Sequence, residues 1–329
     1  DFRQRKIIVL CIKLLFSSLN HFASLKSNSK IVFLFLSLDF KELKHRYSDV
    51  IHIRSHFIAK RSYFALFLAE LFNISFSSVA HADDIFYWHK SKELIFKKSA
   101  YVHCISNYNI GFINAKTRFK FSDKLKLIYN SFNYDIPVFN STEIKQDNKV
   151  QFLFIGRIIE KKGLLEFLKL FMKMDIPNSY FTIIGDGPFK IKLEEFVNQN
   201  QLDDRVVFKG VLNNSDSIKL LVGSDFLVIT SINANPNSYS MDGIPTVIFE
   251  SLSNGVPVIT TQVSGIPEFL YDNKNGIIIN NIITETSEDL KNKIIKFDTS
   301  KEKIIELFNL KYQGRMGGTS FLNELDKLC

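Results

Sequence analysis

The sequence predicts an α/β protein built on doubly wound parallel sheets, and three observations lead to this prediction. From residue 150 onward, short apolar segments alternate with segments whose apolar residues recur at helical spacing. Strands that are apolar throughout are typical of parallel sheets covered by helices on both faces. The length of 329 residues is enough for about two domains, and the hydrophobic fraction of 46% can supply their cores.

The second half of the chain is the more regular. Pro245 stands at the favoured first position of one predicted helix, and Gly255 is its stop signal. The predicted strands are residues 149–157, 179–188, 205–210, 225–231, 256–261 and 276–280. The predicted helices are residues 162–174, 189–201, 214–224 and 245–255, with a short one beginning at 265.

The first half shows a looser α/β pattern. One helix is predicted between two of its strands, and a polar stretch without periodicity, residues 134–148, is predicted to be the linker. We therefore expect domains at residues 1–137 and 138–329. The predicted strands are residues 30–40, 49–55, 74–84, 100–106 and 124–132, and the helix is residues 63–73.

Charge is distributed unevenly between the two halves. Residues 1–149 contain 23 Lys/Arg and 12 Asp/Glu, whereas residues 150–329 contain 19 and 22, within a net charge of +8. A basic domain is compatible with nucleic acid, an anionic membrane or a phosphorylated substrate, and equally with a solvated basic face.

The ends and the cysteines give expectations about location. Three scattered cysteines without metal or redox spacing predict a reduced, cytoplasmic protein. The apolar stretch 6–16 is too short to span a bilayer and is interrupted by Lys13. Because the chain begins with Asp1 and has no signal peptide, we expect the first domain to be truncated at its start.

Small and basic residues follow the predicted strands of the second half. Ligands bind beyond the carboxyl ends of strands in open parallel sheets, and a helix N-terminus with nearby basic side chains suits phosphate. Together these residues predict a diphosphate site, although each is also typical of an ordinary turn. They are Gly156-Arg157, Lys161-Lys162-Gly163, Gly185-Asp186-Gly187-Pro188 and Gly243-Ile244-Pro245.

Two further residues are candidates for ligand contacts. Glu250 lies more than one turn inside its predicted helix, where a carboxylate can accept hydrogen bonds from ribose hydroxyls. His81 ends an apolar strand in "VAHADDIF" and can bond a ligand hydroxyl, carry a proton, or only cap the turn. The absence of G-x-x-x-x-G-K-[ST] and of a helix-opening G-x-G-x-x-G argues against P-loop ATPases and ordinary dehydrogenases.

Taken together, these stretches resemble the family-4 retaining glycosyltransferases of the GT-B fold, in the branch that builds bacterial exopolysaccharides such as colanic acid. The resemblance covers about residues 49–280. Its motifs are "FIGRIIEKKG", "IIGDGP", "VVFKG", "MDGIPTVIFESLSNGVPVITTQVSGIPE", "AHADDIF" and "CISNYN". It implies two Rossmann-like domains facing across a cleft, with the donor nucleotide sugar bound by the C-terminal domain.

The resemblance also implies roles for individual residues. Arg157 and Lys162 would steady the leaving diphosphate, Asp242 stands where the family has a sugar-contacting Glu, and His81 would contact the transferred sugar. These four are the expected catalytic residues, and no metal and no cofactor are expected. The expected donor-binding residues are Gly156, Gly185, Gly210, Val211, Leu212, Gly243, Ile244, Pro245, Thr246 and Glu250.

The expected function is transfer of a sugar, with retention of configuration, from a UDP- or GDP-sugar to a glycan or a polyprenyl-diphosphate-linked acceptor in cell-surface polysaccharide biosynthesis. We expect a cytoplasmic protein, peripheral on the anionic inner face of the plasma membrane, and no nucleic-acid partner. Two departures from the family, Asp242 and an unseen N-terminal Gly-rich loop, keep alternatives open. The departures suggest a non-catalytic sugar-nucleotide-binding protein with the same fold. A GT-B sugar-nucleotide epimerase is a separate alternative, and the Gly-Arg and Lys-Gly pair argues against it.

Overall fold

The computed structural model describes residues 48–130, 149–233 and 241–312, which group into two compact units. The first unit contains residues 48–104 and 110–127. The second contains residues 105–109, 128–130, 149–233 and 241–312. The predicted linker, the domain boundary between residues 137 and 138, and the predicted strand at 30–40 lie outside the described residues.

The first unit is built on a parallel four-stranded sheet with the order β1-β2-β3-β4. Its strands are β1 His52–His56, β2 Ser75–Ala80, β3 Val102–Cys104 and β4 Leu125–Leu127. Its helices are α1 Lys60–Phe72, α2 Asp83–Phe86, α3 Lys92–Lys98 and α4 Asn107–Thr117, of which the first three residues are grouped with the second unit.

The sheet of the first unit has an unusual share of buried polar side chains. His52 and Arg54 on β1 and His103 on β3 are all at least nine-tenths buried. His52 bonds the hydroxyls of Ser75 and Ser77 at 2.6 and 2.8 Å, and Arg54 donates to Nδ1 of His103. Polar groups taken out of water are tolerated when they are hydrogen-bonded in this way. The apolar core of the unit combines strand residues such as Val79 and Val102 with helix residues such as Leu68 and Ile95.

The second unit is built on a six-stranded sheet in which every pair of neighbours is parallel. The strands run in the order β10-β9-β8-β5-β6-β7. They are β5 Val150–Ile155, β6 Ser179–Ile184, β7 Val206–Gly210, β8 Phe226–Ile229, β9 Val258–Thr261 and β10 Gly276–Ile279. All six strands predicted in this half are confirmed.

The helices of the second unit follow the sequence pattern where that pattern is strong. Helix α5 has its apolar residues on one face and buries six of them. Helices α9 and α10 were not predicted, because their sequences are mostly polar and only a few side chains on each are buried. The helices are α5 Leu164–Met174, α6 Lys190–Gln199, α7 Asn214–Val222, α8 Thr246–Ser253, α9 Ser287–Ile295 and α10 Lys301–Tyr312.

Phenylalanine fills the core between the second sheet and its helices. Phe152 on β5 packs edge-on against Phe167 and Phe171 of α5, at centroid distances of 5.8 Å each. Phe181 on β6 meets Phe167 in the same way at 5.1 Å. Such edge-to-face pairs add to the stability that comes from area burial. The abundance of Phe in the sequence is thus used for packing.

The strand order places a topological switch point between β5 and β8. From β5 the chain winds to β6 and β7 on one side, and it then returns to β8, β9 and β10 on the other. Open α/β sheets bind ligands beyond the carboxyl ends of the strands at such a switch point. The loops after these two strands carry Arg157, Lys162 and Asp242.

Candidate donor site in the second unit and His81 in the first

Three of the predicted donor-binding glycines lie side by side at the carboxyl end of the second sheet. The Gly156 N–H donates to the Ile184 carbonyl at 3.0 Å, and the Gly185 N–H donates to the Gly210 carbonyl at 2.8 Å. Gly185 has φ +135°, and a Cβ there would lie 1.8 Å from the Gly156 carbonyl oxygen. Glycine is required because the two backbones touch, and the touching loops form one continuous rim.

Arg157 lies on this rim directly after β5. Its neighbour Ile158 donates its N–H to the carbonyl of Asp186 at 2.9 Å, so that the turn after β5 and the turn after β6 are tied together. The Arg157 side chain is exposed. An exposed guanidinium on a fixed backbone can bind a phosphate group with two parallel hydrogen bonds.

Lys161 and Lys162 precede helix α5 instead of opening it, which corrects the sequence prediction. They belong to a short 3-10 turn, Glu160–Lys162, and the α-helix begins at Leu164. Gly163 separates the two with φ +65°, and a Cβ there would lie 2.0 Å from the Thr230 carbonyl oxygen. The left-handed conformation ends the 3-10 turn and places both lysines beside the end of β8.

Asp242 lies in a network with the two lysines. One carboxylate oxygen, Oδ2, accepts from Nζ of Lys162 at 2.7 Å and from the Ser231 hydroxyl at 2.6 Å. The other oxygen, Oδ1, lies 3.5 Å from Nζ of Lys161. The side chains are only 15% exposed for each lysine and 11% for Asp242. The structure thus joins Lys162 to Asp242, residues that the sequence analysis placed separately.

Helix α8 begins with the segment that follows Asp242. Pro245 is the residue before the first helical residue, Thr246, so it lies one position earlier than predicted. Gly243 and Ile244 lead into it, and Ile244 is buried. The first N–H groups of any helix have no partner within the helix and carry partial positive charge. They are therefore available to an anion that binds above β8.

Glu250 lies on the fifth residue of α8 and is partly buried. Burial raises the pKa of its carboxyl. Within residues 48–130, 149–233 and 241–312, no group donates a hydrogen bond to this carboxylate. A ligand hydroxyl can take that place, and the contact of Glu250 with ribose stays a prediction.

The predicted base-facing segment follows β7. Val211 is 76% exposed, and Leu212 is partly exposed. Gly210 has φ +67°, and a Cβ there would meet nothing within 4 Å. The segment therefore presents an apolar surface on the same rim as Gly185, and its contact with a base stays a prediction.

His81 lies in the first unit, whereas the other predicted site residues lie in the second. It follows β2 and begins a loop that Asp84 holds in place. The Asp84 carboxylate accepts from the backbone N–H groups of His81 at 3.0 Å, Ala82 at 2.7 Å and Ile58 at 2.8 Å. The His81 ring packs 4.3 Å from the Phe57 ring, centroid to centroid.

The environment of His81 keeps its ring neutral. Burial, together with the smaller effect of the positive charge of Arg54, lowers the pKa of His81 to about 4. At neutral pH the imidazole can therefore donate one hydrogen bond and accept another, as contact with sugar hydroxyls requires.

Two residues of these loops were absent from the predicted site. Ser231 donates to Asp242, and Asp84 fixes the His81 backbone. Lys161, which was predicted as part of the diphosphate site, also lies beside Asp242. Ser231 had a signal in the sequence, since it is the polar residue that follows an apolar strand at the ligand-binding edge. The role of Asp84 could be inferred only from geometry, because its three donors come from two different loops.

The described residues contain neither a cluster suited to a metal ion nor a helix suited to span a membrane. No group of three or more His, Cys, Asp or Glu side chains in those parts of the chain is arranged to hold a metal ion. No helix within them has the length and apolar composition needed to cross a bilayer.

Comparison with known proteins places the chain among the glycosyl transferases. Residues 137–308 match the family described as "Glycosyl transferases group 1". The chain belongs to this family. The predicted resemblance is thereby confirmed at the level of the family.

Two relatives show how far the similarity extends. A Klebsiella pneumoniae protein, "Uncharacterized 41.2 kDa protein in cps region", is 27% identical over 84% of this chain and 76% of its own length. The "Putative colanic acid biosynthesis glycosyltransferase WcaL" of Escherichia coli is 27% identical over 47% of this chain and 38% of its own length. The chain spans about two fifths of the length of several curated relatives that it matches.

A solved structure confirms the fold. Anabaena Alr3699/HepE, crystallised in complex with UDP, superposes with a TM-score of 0.71 at 17% identity, over 88% of this chain and 82% of that protein. Two parallel sheets with helices and this likeness confirm the predicted GT-B fold. The cleft predicted between its domains stays a prediction.

Proposed function

We propose that the protein is a retaining glycosyltransferase. It transfers a sugar from a nucleotide-diphosphate sugar to a glycan or lipid-linked acceptor during synthesis of a cell-surface polysaccharide. The observation that carries the proposal is the group of positive charges beyond the carboxyl ends of β5 and β8. It combines Arg157, the Lys161–Lys162 turn and the N-terminus of helix α8 at the switch point of a group 1 glycosyl transferase.

The reaction places negative charge where these groups are. Breaking the sugar–phosphate bond leaves charge on the diphosphate, and the sugar gains oxocarbenium character. Arg157, Lys162 and the first N–H groups of α8 stabilise the leaving group, since preorganised positive groups act on charge that develops in the transition state. We propose that no metal ion and no cofactor take part and that no enzymic nucleophile is needed.

The remaining residues hold the donor. Glu250 accepts the ribose hydroxyls, and the backbone near Gly210 and Val211 faces the base. Asp242 and neutral His81 contact the transferred sugar. The donor is a UDP- or GDP-sugar, and the complex of HepE with UDP supports a nucleoside diphosphate of this kind.

The acceptor and the location are proposed from charge and from exposed rings. Phe57 and Phe119, both on the basic first half of the chain, are 52% and 70% exposed. Exposed aromatic residues among lysines suit the surface of an anionic membrane. We propose a cytoplasmic protein that binds the inner face of the membrane to reach a polyprenyl-diphosphate-linked acceptor. Vesicle binding that does not change with the salt concentration or with the phosphatidylglycerol content of the vesicles would contradict this.

One experiment separates the proposed function from its alternatives. UDP- and GDP-sugars are screened for thermal stabilisation of the protein, and those that bind are incubated with and without lipid-linked acceptor. Transfer to acceptor supports the proposal, and isomerised donor without acceptor indicates an epimerase. Binding without turnover indicates a non-catalytic protein. Arg157→Ala should abolish turnover, and Lys303→Ala, at an exposed lysine of the same unit, should not.

A further inference from the structure

Asp242 and the two lysines bring three charged groups together in one mostly buried cluster. A single carboxylate is shared by two ammonium groups, at 2.7 Å from Lys162 and 3.5 Å from Lys161. All three side chains are mostly buried. A buried ammonium group needs an anionic partner, because an unpaired buried charge is costly. In the absence of donor, that partner is Asp242.

Several contacts hold the lysine turn and the end of β8 together. The close approach of Gly163 to the Thr230 carbonyl holds the lysine turn against the end of β8. The Thr230 hydroxyl also donates to the Gly163 carbonyl at 3.3 Å. On the other side, the Thr261 hydroxyl donates to the Ser231 carbonyl, which ties β8 to β9 at the residue that holds Asp242.

Asp242 keeps one strong partner whatever the lysines do. Ser231 is fully buried and donates its hydroxyl to Oδ2 at 2.6 Å. If Lys162 turns toward another anion, the carboxylate remains hydrogen-bonded and its other lone pairs become available. A sugar hydroxyl is a suitable new donor to them. The lysine and the aspartate can thus exchange one shared ion pair for two ligand contacts.

We propose that Asp242 competes with the donor diphosphate for Lys161 and Lys162. Donor binding opens the Lys162–Asp242 ion pair, and release of the nucleoside diphosphate product closes it again. This inference rests on the proposed function, because it takes the bound anion to be a nucleotide diphosphate. It gives Asp242 a second role, which is to limit the affinity for the product and so to speed its release.

The test measures the affinity for UDP and GDP in wild type and in Asp242→Asn. The amide keeps an acceptor for Ser231 and the shape of the side chain but removes the competing charge. We expect at least one of the two nucleotides to bind about tenfold more tightly, with slower dissociation in stopped flow. The affinity for the nucleosides uridine and guanosine should be unchanged, since they lack phosphate.

The controls separate competition from general effects of charge and folding. Asp216→Asn removes the same charge from an exposed Lys–Asp pair of the same unit and should leave both affinities unchanged. Ser231→Ala should weaken nucleotide binding, because the carboxylate loses the partner that stays with it when Lys162 leaves. It should have no further effect in the Asp242→Asn background, because Ser231 acts only through that carboxylate. Thermal unfolding verifies that each variant is folded.

The outcomes distinguish this inference from the proposed function. Unchanged or weaker nucleotide binding by folded Asp242→Asn overturns the competition, even if wild type transfers sugar. Tighter binding without transfer by wild type supports the competition and contradicts the enzymatic function. If wild type and variant both fail to bind UDP and GDP, both proposals are wrong.

Discussion

The carboxylate of Asp84 holds the backbone of His81, accepting its N–H at 3.0 Å through one oxygen and at 3.1 Å through the other. The same carboxylate accepts from Ile58 in the loop after β1. One side chain therefore joins two loops at the carboxyl end of the first sheet. Burial raises the pKa of the Asp84 carboxyl. Its backbone N–H donors act in the opposite direction, but the effect of burial is larger.

Asp84→Ala should lower the free energy of unfolding of the first unit by about 2–4 kcal/mol, since it leaves several buried N–H groups without an acceptor. Asp84→Asn retains one oxygen and should cost less. Urea unfolding measures both. Asp123→Asn, at an exposed carboxylate of the same unit, is the matched control. Equal stability of all four proteins would show that Asp84 does not hold the loops.

The two buried histidines predict a loss of stability in mild acid. The folded protein binds protons at His52 and His81 only near pH 4, because burial and Arg54 lower both pKa values to about 4. The unfolded chain binds them near pH 6.5. Stability should therefore fall as pH decreases from 6.5 toward 4, by up to roughly 3 kcal/mol per histidine.

Unfolding by urea at pH 7 and pH 5 measures this loss. His52→Gln should reduce the difference between the two pH values, because it removes one of the two titrating groups. His89→Gln, at an exposed histidine, should leave the difference unchanged. A wild type whose stability is the same at both pH values would contradict the burial of neutral histidines.

Gly163→Ala should damage the lysine turn. The new Cβ would lie 2.0 Å from the Thr230 carbonyl oxygen, at a backbone with φ +65°. We expect a loss of about 3 kcal/mol or more in the free energy of unfolding, together with loss of UDP and GDP binding. Gly111→Ala is the control, because a Cβ inside helix α4 meets nothing within 4 Å and should stabilise by about 0.5–1 kcal/mol. A Gly163→Ala protein as stable as wild type would show that the turn does not approach the Thr230 carbonyl in this way.

Arg157 and Lys162 should differ in what their removal does to stability. Both substitutions to alanine should abolish transfer. Arg157 is exposed, so its loss should change stability by less than about 0.5 kcal/mol. Lys162→Ala leaves the buried Asp242 with the Ser231 hydroxyl and, as its charged partner, the more distant Lys161, and it should cost about 2–4 kcal/mol. Thermal and urea unfolding of the two variants, beside activity, makes the comparison, and equal stabilities would contradict it.

Glu250→Gln should weaken nucleotide binding through the ribose. Loss of a charged acceptor predicts about a tenfold rise in the Kd for the bound nucleoside diphosphate. Nucleotides that lack the 2′- or the 3′-hydroxyl identify the hydroxyl that Glu250 binds. The variant and the wild type should have the same Kd for the nucleotide from which that hydroxyl is missing. Affinity should also fall in mild acid, since burial raises the pKa of Glu250 and protonation removes an acceptor. An unchanged Kd for the ribonucleotide would exclude the contact.

Local patterns were sufficient for much of the second unit. The apolar strands and the one-sided helix α5 recur in the structure within a few residues of their predicted bounds. Their signal is strong because both faces of a parallel sheet are buried. Helices α9 and α10 lacked that signal. Only a few of their side chains are buried, and which ones depends on the elements that pack against each helix.

By itself, the sequence determined the family motifs, the parallel α/β class and the residues that follow each strand. Periodicity and glycine positions involve residues that are close together along the chain, so they can be recognised from the sequence alone. Only the tertiary structure decided that Asp242 pairs with Lys162, 80 positions away, and that Ser231 holds the pair. Those partners meet because β5 and β8 are adjacent in the sheet, and strand order is a property of the folded chain.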